Sequence, residues 1–154
     1  LVHQAIAPAV LPELLKQLAA KGVEIRGCAR TCSYYAPCAL ATENDWSTEY
    51  LDLILAVKVV DSFEEAIAHI ERYSSGLTDS IVTQNKETAD RFVSEVDSAT
   101  VLVNASNRLT DGGQFGLGGE IGISTARVHM RGPMGLEDLT VTRYVVVGDG
   151  HIRT

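Results

Sequence analysis

The sequence predicts an α/β domain: a mostly parallel sheet with helices on both faces. Between Leu53 and Asn104 the pattern runs strand, helix, strand, helix, strand, an order that calls for right-handed parallel crossovers. The first of those strands, Leu53 to Val60, is a nearly continuous apolar run rich in β-branched residues, as expected of a strand covered on both faces. At 154 residues the length suits one domain with a real core, but is small for a dinucleotide enzyme that also needs a substrate site.

Each element follows in order. Leu1-Val2-His3 reads as the tail of a strand begun upstream, and the missing initiator methionine fits a fragment or processed product. From Pro8 to Lys21 the residues Val10, Leu11, Leu14, Leu15 and Leu18 fall at helical spacing, with Gly22 placed to stop the helix. Val23 to Arg26 is a short strand candidate. Gly27 to Thr48 lacks periodicity and is expected to be loop, with a turn of helix near Glu43 to Trp46. Asp61-Ser62 then caps a helix over Phe63 to Tyr73, whose Glu64 and Glu65 lie where the helix dipole favours anions. Ser80 to Thr83 is a strand, Lys86 to Val96 a helix, and Thr100 to Asn104 a strand. Six glycines between Gly112 and Gly122 require a shaped loop. Leu139 to Val147 alternates imperfectly and reads as a terminal strand ending at Gly148-Asp149-Gly150.

Composition narrows the function. Hydrophobic residues make up 45% and charged residues 21%, and no apolar run is long enough to cross a bilayer, so no membrane partner is expected. A net charge of −7 without a local basic run would repel a phosphate backbone, which argues against nucleic acid. The three cysteines, Cys28, Cys32 and Cys38, are odd in number and form no CxxC pair. A zinc site would be short of ligands, incidental thiols are expected, and a reducing cytoplasm fits best. No signal peptide is visible.

Three segments could carry chemistry. The loop Thr110 to Thr125 follows a strand at the carboxyl edge, where open α/β sheets bind ligands. Its GxGxxG-like spacing opens no helix and is no dinucleotide fingerprint, so spacing alone leaves a substrate loop and a purely conformational loop level. Arg127, His129 and Arg131 alternate, so on an extended strand they would share one cationic face suited to a phosphate or carboxylate; a solvated edge strand explains the pattern equally simply. Glu49 precedes the apolar run by four residues, which would set a carboxylate near a sheet edge within reach of a ribose diol.

Val103-Asn104-Ala105-Ser106, the loop Thr110 to Thr125 and above all His129-Met130-Arg131-Gly132-Pro133-Met134-Gly135-Leu136 resemble the C-terminal signature of the γ-glutamyl phosphate reductases, members of the aldehyde dehydrogenase superfamily. Trp46 through Val60 and Ala66 to Ile70 resemble them as well, so the similarity runs almost end to end. Two positions depart: Leu51 stands where the superfamily carries Phe, and Leu77 where the reductases usually place histidine.

The resemblance implies NADPH-dependent reduction of a small-molecule acyl phosphate, L-glutamyl 5-phosphate, through a cysteine thioester. It implies that the nucleophilic cysteine lies a few residues before Leu1, so no catalytic residue is expected in this chain, which alone should be inactive. It assigns Glu49 to the nicotinamide ribose of NADP(H), and Ser106, Gly112, Gly113 and Arg131 to the substrate; no metal is expected. Residues 1–138 would form an incomplete aldehyde-dehydrogenase-like catalytic domain, and 139–154 an oligomerisation strand and tail, making a homo-oligomer the expected assembly. The rival expectations are a non-catalytic remnant that serves packing or oligomerisation, and a related dehydrogenase with another substrate.

Overall fold

The computed structural model describes residues 1–153. The chain opens with β1 (Val2–His3) and α1 (Ala7–Ala20), which carries Pro8 in its first turn and ends in a Schellman turn. There Gly22 takes a φ of +83°, its N–H donates to Ala19 O, and Val23 N–H donates to Leu18 O. Ala7, Leu11 and Leu15, each 0% exposed, form the buried stripe of α1; Val10 and Leu14 flank it and stay about 40% exposed.

The sheet against which α1 packs holds β2 (Glu24–Gly27), β3 (Ala39–Leu40) and β4 (Ile54–Val57), all parallel in the order β3-β2-β4. β5 (Val59–Val60) continues β4 past Lys58 and pairs in parallel with β1. Val57 O accepts from Cys28 N–H, whereas Lys58 O and Val60 O accept from Val2 and Gln4 N–H. Successive carbonyls of an extended chain point to opposite sides, so β2 and β1 flank the Ile54–Val60 run on its two edges. Ile25, Val57 and Val59 join Ala7, Leu11 and Leu15 in the core. The alternate residues Arg26 and Lys58 face the other way, toward the 3-10 turn Glu43–Trp46 and α3 (Phe63–Tyr73), through Arg26–Asp45 and Lys58–Glu65 ion pairs. Helical segments thus lie on both faces, as the sequence implies.

The expected single strand run does not carry on into one continuous sheet. β6 (Thr78–Ile81) pairs only with β7 (Thr100–Val103) among the described residues, in parallel, because β1 already occupies the far edge of β5. Between them α4 (Lys86–Glu95) is capped by Asn85, whose Oδ1 accepts from Thr88 N–H at 2.9 Å, and is anchored by buried Phe92 and, just beyond it, Val96. Ser62 caps α3 in the same way through Glu65 N–H at 3.1 Å. The Arg91 guanidinium stacks 4.3 Å above the Phe63 ring and pairs with Glu64 and Glu95, tying α3 to α4.

Three further expectations are corrected. The stretch Gly27 to Thr48 holds a short helix α2 (Ala29–Cys32) and β3, and Cys32 is joined to Cys38 by a disulfide with Cα atoms 5.1 Å apart, leaving Cys28 free. The six-residue separation hid this pairing, because only the turn between α2 and β3 brings the two sulfurs together. Gly27 makes room for it: a Cβ there would lie 2.7 Å from Cys38 Sγ and 2.8 Å from Thr31. Residues 127–129 form bends rather than an extended edge, so Arg127, His129 and Arg131 share no strand face. Beyond a 3-10 turn at Glu137–Leu139, the predicted terminal strand makes no ladder among the described residues; Val141, Tyr144, Val146 and Val147 are each at least 90% exposed. A strand exists only against a partner edge, and none of the chain's own edges meets it.

Candidate active site

Glu49 sits just past the 3-10 turn, exposed, on a backbone held from both sides. Thr48 Oγ1 donates to Asn44 O at 2.6 Å, and Tyr50 OH donates to Asp45 Oδ1 at 2.7 Å. The hub of this anchorage is Asp45, 8% exposed, which also accepts from Arg26 Nη1 at 2.9 Å and from Thr42 N–H and Oγ1 at 2.7 Å each. The Arg26 guanidinium first, then the Thr42 N–H and the Tyr50 and Thr42 hydroxyls, hold the Asp45 carboxyl well below the usual carboxylate range. Asp45 is the residue that sequence reasoning missed: it reads as an ordinary polar residue in a 3-10 turn, and its partner Arg26 lies nineteen residues away.

Ser106 stands at the carboxyl end of β7 and caps the next 3-10 turn, its Oγ accepting from Arg108 N–H at 3.3 Å. It is placed by Asn104, whose φ of +53° turns the chain and whose amide continues the β6–β7 pairing by side chain. Its Oδ1 accepts from Thr83 N–H and its Nδ2 donates to Thr83 O, both at 2.8 Å. Asn104→Asp would set a carboxylate oxygen against the Thr83 carbonyl. We expect a loss of about 1–2 kcal/mol in a denaturant melt, with Asn104→Gly intermediate because it keeps the turn and loses only the amide.

The glycine loop begins at the carboxyl edge of β7 but does not stay there. Thr110 Oγ1 lies 3.1 Å from Thr78 Oγ1, at the opposite, amino end of β6, so the segment folds back along the strand. Within it Gly112 is buried and its N–H donates to Glu120 Oε2 at 3.1 Å, while Gly113 is exposed. Leu117 N–H donates to Gly112 O at 2.9 Å, and the antiparallel pair β8 (Gly122–Ser124) and β9 (Gly132–Met134) closes the base. A Cβ on Gly112 would meet Gly119 O at 2.6 Å, and one on Gly135 would meet Leu117 O at 2.9 Å, so these two glycines are sites of close backbone approach. Arg131 is engaged with Asp97: Nη1 donates to Oδ1 at 2.7 Å and Nη2 to the Asp97 carbonyl at 2.5 Å.

Gly112, Gly113 and Arg131 therefore belong to one folded unit, Ser106 leads into it, and Glu49 lies apart from them, on the segment between the 3-10 turn and β4. A cleft of about 210 Å³ is lined by Trp46, Lys58, His69, Tyr73, Ser74 and Asp79 among others, and none of the five expected residues lines it. There His69 stacks against Tyr73 at 4.6 Å and Trp46 at 5.5 Å, and its Nδ1 lies 3.5 Å from Lys58 Nζ. Burial first, then the Lys58 charge, lowers its pKa to about 4. Because the folded protein binds this proton less tightly than the unfolded chain, the His69 contribution to stability is full above about pH 6.5 and is lost as pH falls toward 4. Melts of His69→Gln across that window should therefore show a flatter pH dependence than the parent.

Burial pushes the Cys28 thiol up, but hydrogen bonds from Thr31 and the Val59 N–H outweigh it and leave it below the ordinary thiol value. The thiol lines neither this cleft nor the glycine loop. No group of acidic, cysteine or histidine side chains among the described residues is arranged to hold a metal ion, and no described helix is long and apolar enough to cross a membrane.

Residues 44–145, from the 3-10 turn that anchors Glu49 to the exposed terminal segment, match the aldehyde dehydrogenase family. The chain belongs to the aldehyde dehydrogenase family. Within it, the chain is 58% identical over 153 residues to the γ-glutamyl phosphate reductase of Kosmotoga olearia and 59% identical over 153 residues to that of Thermobifida fusca. Each alignment covers 99% of this chain and 37% of the relative. The crystal structure of γ-glutamyl phosphate reductase from Thermotoga maritima superposes with a TM-score of 0.92 at 54% identity, over 99% of this chain and 37% of that one. The Saccharomyces cerevisiae enzyme of that name gives a TM-score of 0.53 at 34% identity, over 68% and 28%. The chain thus spans 37% of the length of the bacterial relatives it matches. The aldehyde-dehydrogenase-like α/β fold is that of the matched Thermotoga maritima region, parallel ladders with helices.

Proposed function

We propose that this chain forms one wall of the active site of a γ-glutamyl phosphate reductase, which reduces L-glutamyl 5-phosphate to L-glutamate 5-semialdehyde and phosphate in proline biosynthesis. The observation that carries the proposal is identity of 58–59% over 99% of the chain to bacterial enzymes of that name, running through both the Glu49 segment and the glycine loop.

In this reading a cysteine thiolate from polypeptide outside these 154 residues displaces phosphate, and the thioester carbonyl is then reduced. NADPH supplies the hydride when bound. Glu49 fits the cofactor by its chemistry: an exposed carboxylate, on a backbone tethered through Thr48 and Tyr50, presents two acceptors to a ribose diol. Ser106, Gly112 and Gly113 are assigned to the substrate tail: the exposed Gly113, with no side chain, lets its backbone N–H approach a carboxylate closely, while buried Gly112, its N–H held by Glu120, shapes the turn that presents it. Arg131, just before the returning strand β9, is assigned to the same substrate region, with its guanidinium held by Asp97. The segment 139–154 pairs with another subunit of a homo-oligomer, and the enzyme works in the cytoplasm on a small-molecule substrate.

The test is the reverse reaction of the full-length protein. NADP reduction by glutamate semialdehyde should require inorganic phosphate, and residues 1–154 alone should give none. Phosphate-independent turnover, or turnover only with NAD, would refute the corresponding part of the proposal. Glu49→Gln should cut turnover about tenfold or more, the worth of one charge-assisted hydrogen bond to the ribose, while shifting stability by less than about 0.5 kcal/mol. An unchanged rate removes Glu49 from the site.

A further inference from the structure

The polar attachments of the glycine loop to the sheet are few, and one of them converges on a single carboxylate. Apart from the local bonds at its two ends, Thr110 N–H to Asn107 O and Gly135 N–H to Asp138 Oδ2, the segment from Thr110 to Gly135 is tied to the rest of the fold, among the described residues, at Thr110–Thr78 and at Asp97. Asp97 takes two guanidinium groups from the loop: Arg131 on Oδ1 at 2.7 Å and Arg127 on Oδ2 at 3.1 Å. Arg131 also donates to the Asp97 carbonyl at 2.5 Å. That carbonyl lies just past the carboxyl end of α4, where the helix dipole adds to the attraction for cations.

The buttress under Asp97 is rigid, because Val96 and Phe92 beside it are 7% and 3% exposed. Gly76 lies beneath the guanidinium, the site of its absent Cβ 3.8 Å from Arg131 Nη2, and Gly132 turns with a φ of +83° over Ala99. From Gly132 the arm runs as β9, pairs with β8, and ends at Gly135, whose missing Cβ would strike Leu117 O. A shift of Arg131 is thus passed by direct contact to the Gly112–Gly119 turn.

We propose that Asp97 is a positioning residue: by clamping Arg131 and Arg127 it sets the position of the glycine loop against the substrate tail, and Arg131 acts through the loop rather than by gripping substrate. This rests on the reductase reading above and names the residue that orients its substrate loop. The Asp97 carboxylate is 59% exposed, so its ion pairs contribute little to global stability. Their loss registers in loop geometry, where small displacements have large effects on binding.

The full-length protein carries the test. Asp97→Asn, which keeps the shape and removes the charge, should raise KM for glutamate semialdehyde about fivefold or more, leaving KM for NADP unchanged and kcat within about twofold; Asp97→Glu should recover most of the loss. Chymotryptic cleavage after Phe115, 45% exposed in the loop, should accelerate several-fold in Asp97→Asn and return toward the parent rate in Asp97→Glu. Unchanged KM and unchanged cleavage in Asp97→Asn would overturn the proposal. So would a raised KM in Arg131→Ala with Asp97→Asn silent, which would make Arg131 a direct substrate ligand. If the parent shows no reductase activity the functional reading fails, and the cleavage rates alone decide whether Asp97 holds the loop.

Discussion

Gly112→Ala should loosen the glycine loop more than any other single glycine substitution within it. The added Cβ would sit 2.6 Å from the Gly119 carbonyl oxygen and 2.9 Å from the Glu120 Cβ, and a backbone oxygen cannot swing aside as a flexible side-chain tip can. Relief requires the two strands of the turn to part. That lengthens the Leu117 N–H to Gly112 O hydrogen bond of 2.9 Å and the Gly112 N–H to Glu120 bond of 3.1 Å. Overpacking of this kind costs about 1–3 kcal/mol. The appropriate readout is exchange of the Leu117 amide, which should accelerate about 5- to 150-fold for that range, since a local opening need not shift the global midpoint. Gly119→Ala is the control: nothing lies within 4 Å of its Cβ position and its φ is not left-handed, so exchange should be unchanged. On the reductase reading proposed above, Gly112→Ala in the full-length protein should also raise KM for the glutamyl substrate; equal exchange rates in Gly112→Ala and Gly119→Ala would show that the close approach is not what shapes the loop.

The second large effect is expected at Asp45. Four donors converge on its two oxygens, Arg26 and Tyr50 on Oδ1, and the N–H and hydroxyl of Thr42 on Oδ2. In Asp45→Asn, whichever way the amide is turned, its NH₂ faces Arg26 or the Thr42 N–H, neither of which can become an acceptor. The thermal midpoint should fall by several degrees, the larger part of it recovered only by restoring the carboxylate. The sign of the pH effect is fixed as well. Because the carboxyl is depressed below its ordinary value, its stabilisation is complete above about pH 4 and drains away as pH falls further through the folded-state value. Asp45→Asn should therefore lose that acid limb. The His69 contribution, drained between about pH 6.5 and 4, should remain, and a single acid limb in the parent would contradict the separation of the two groups.

These two residues mark the boundary between what could be read along the chain and what could not. The glycine cluster announces a shaped loop, but nothing in its spacing says that Gly112 and Gly135 are the points of contact while Gly119 is open. Asp45 carries no signal that distinguishes it from Glu43 beside it, yet one is 8% exposed and the other reaches outward to Arg72. Likewise the Arg127–Arg131 alternation suggests a cationic face, whereas the carboxylate that gathers both arginines lies on the turn after α4, thirty-odd residues earlier.

The sequence by itself determined the three long helices and where they stop, the Ser62 cap and the parallel character of the strands. All of these follow from side-chain periodicity and local backbone preference, which are written in consecutive residues. Tertiary structure alone decided the division of the sheet at Lys58, the Cys32–Cys38 pairing, the return of the glycine loop to Thr78 and the absence of a ladder among the described residues of the terminal segment. Each is a meeting of groups separated along the chain, or the lack of one, and whether an edge or a charge finds its partner depends on which surfaces the packed helices leave within reach.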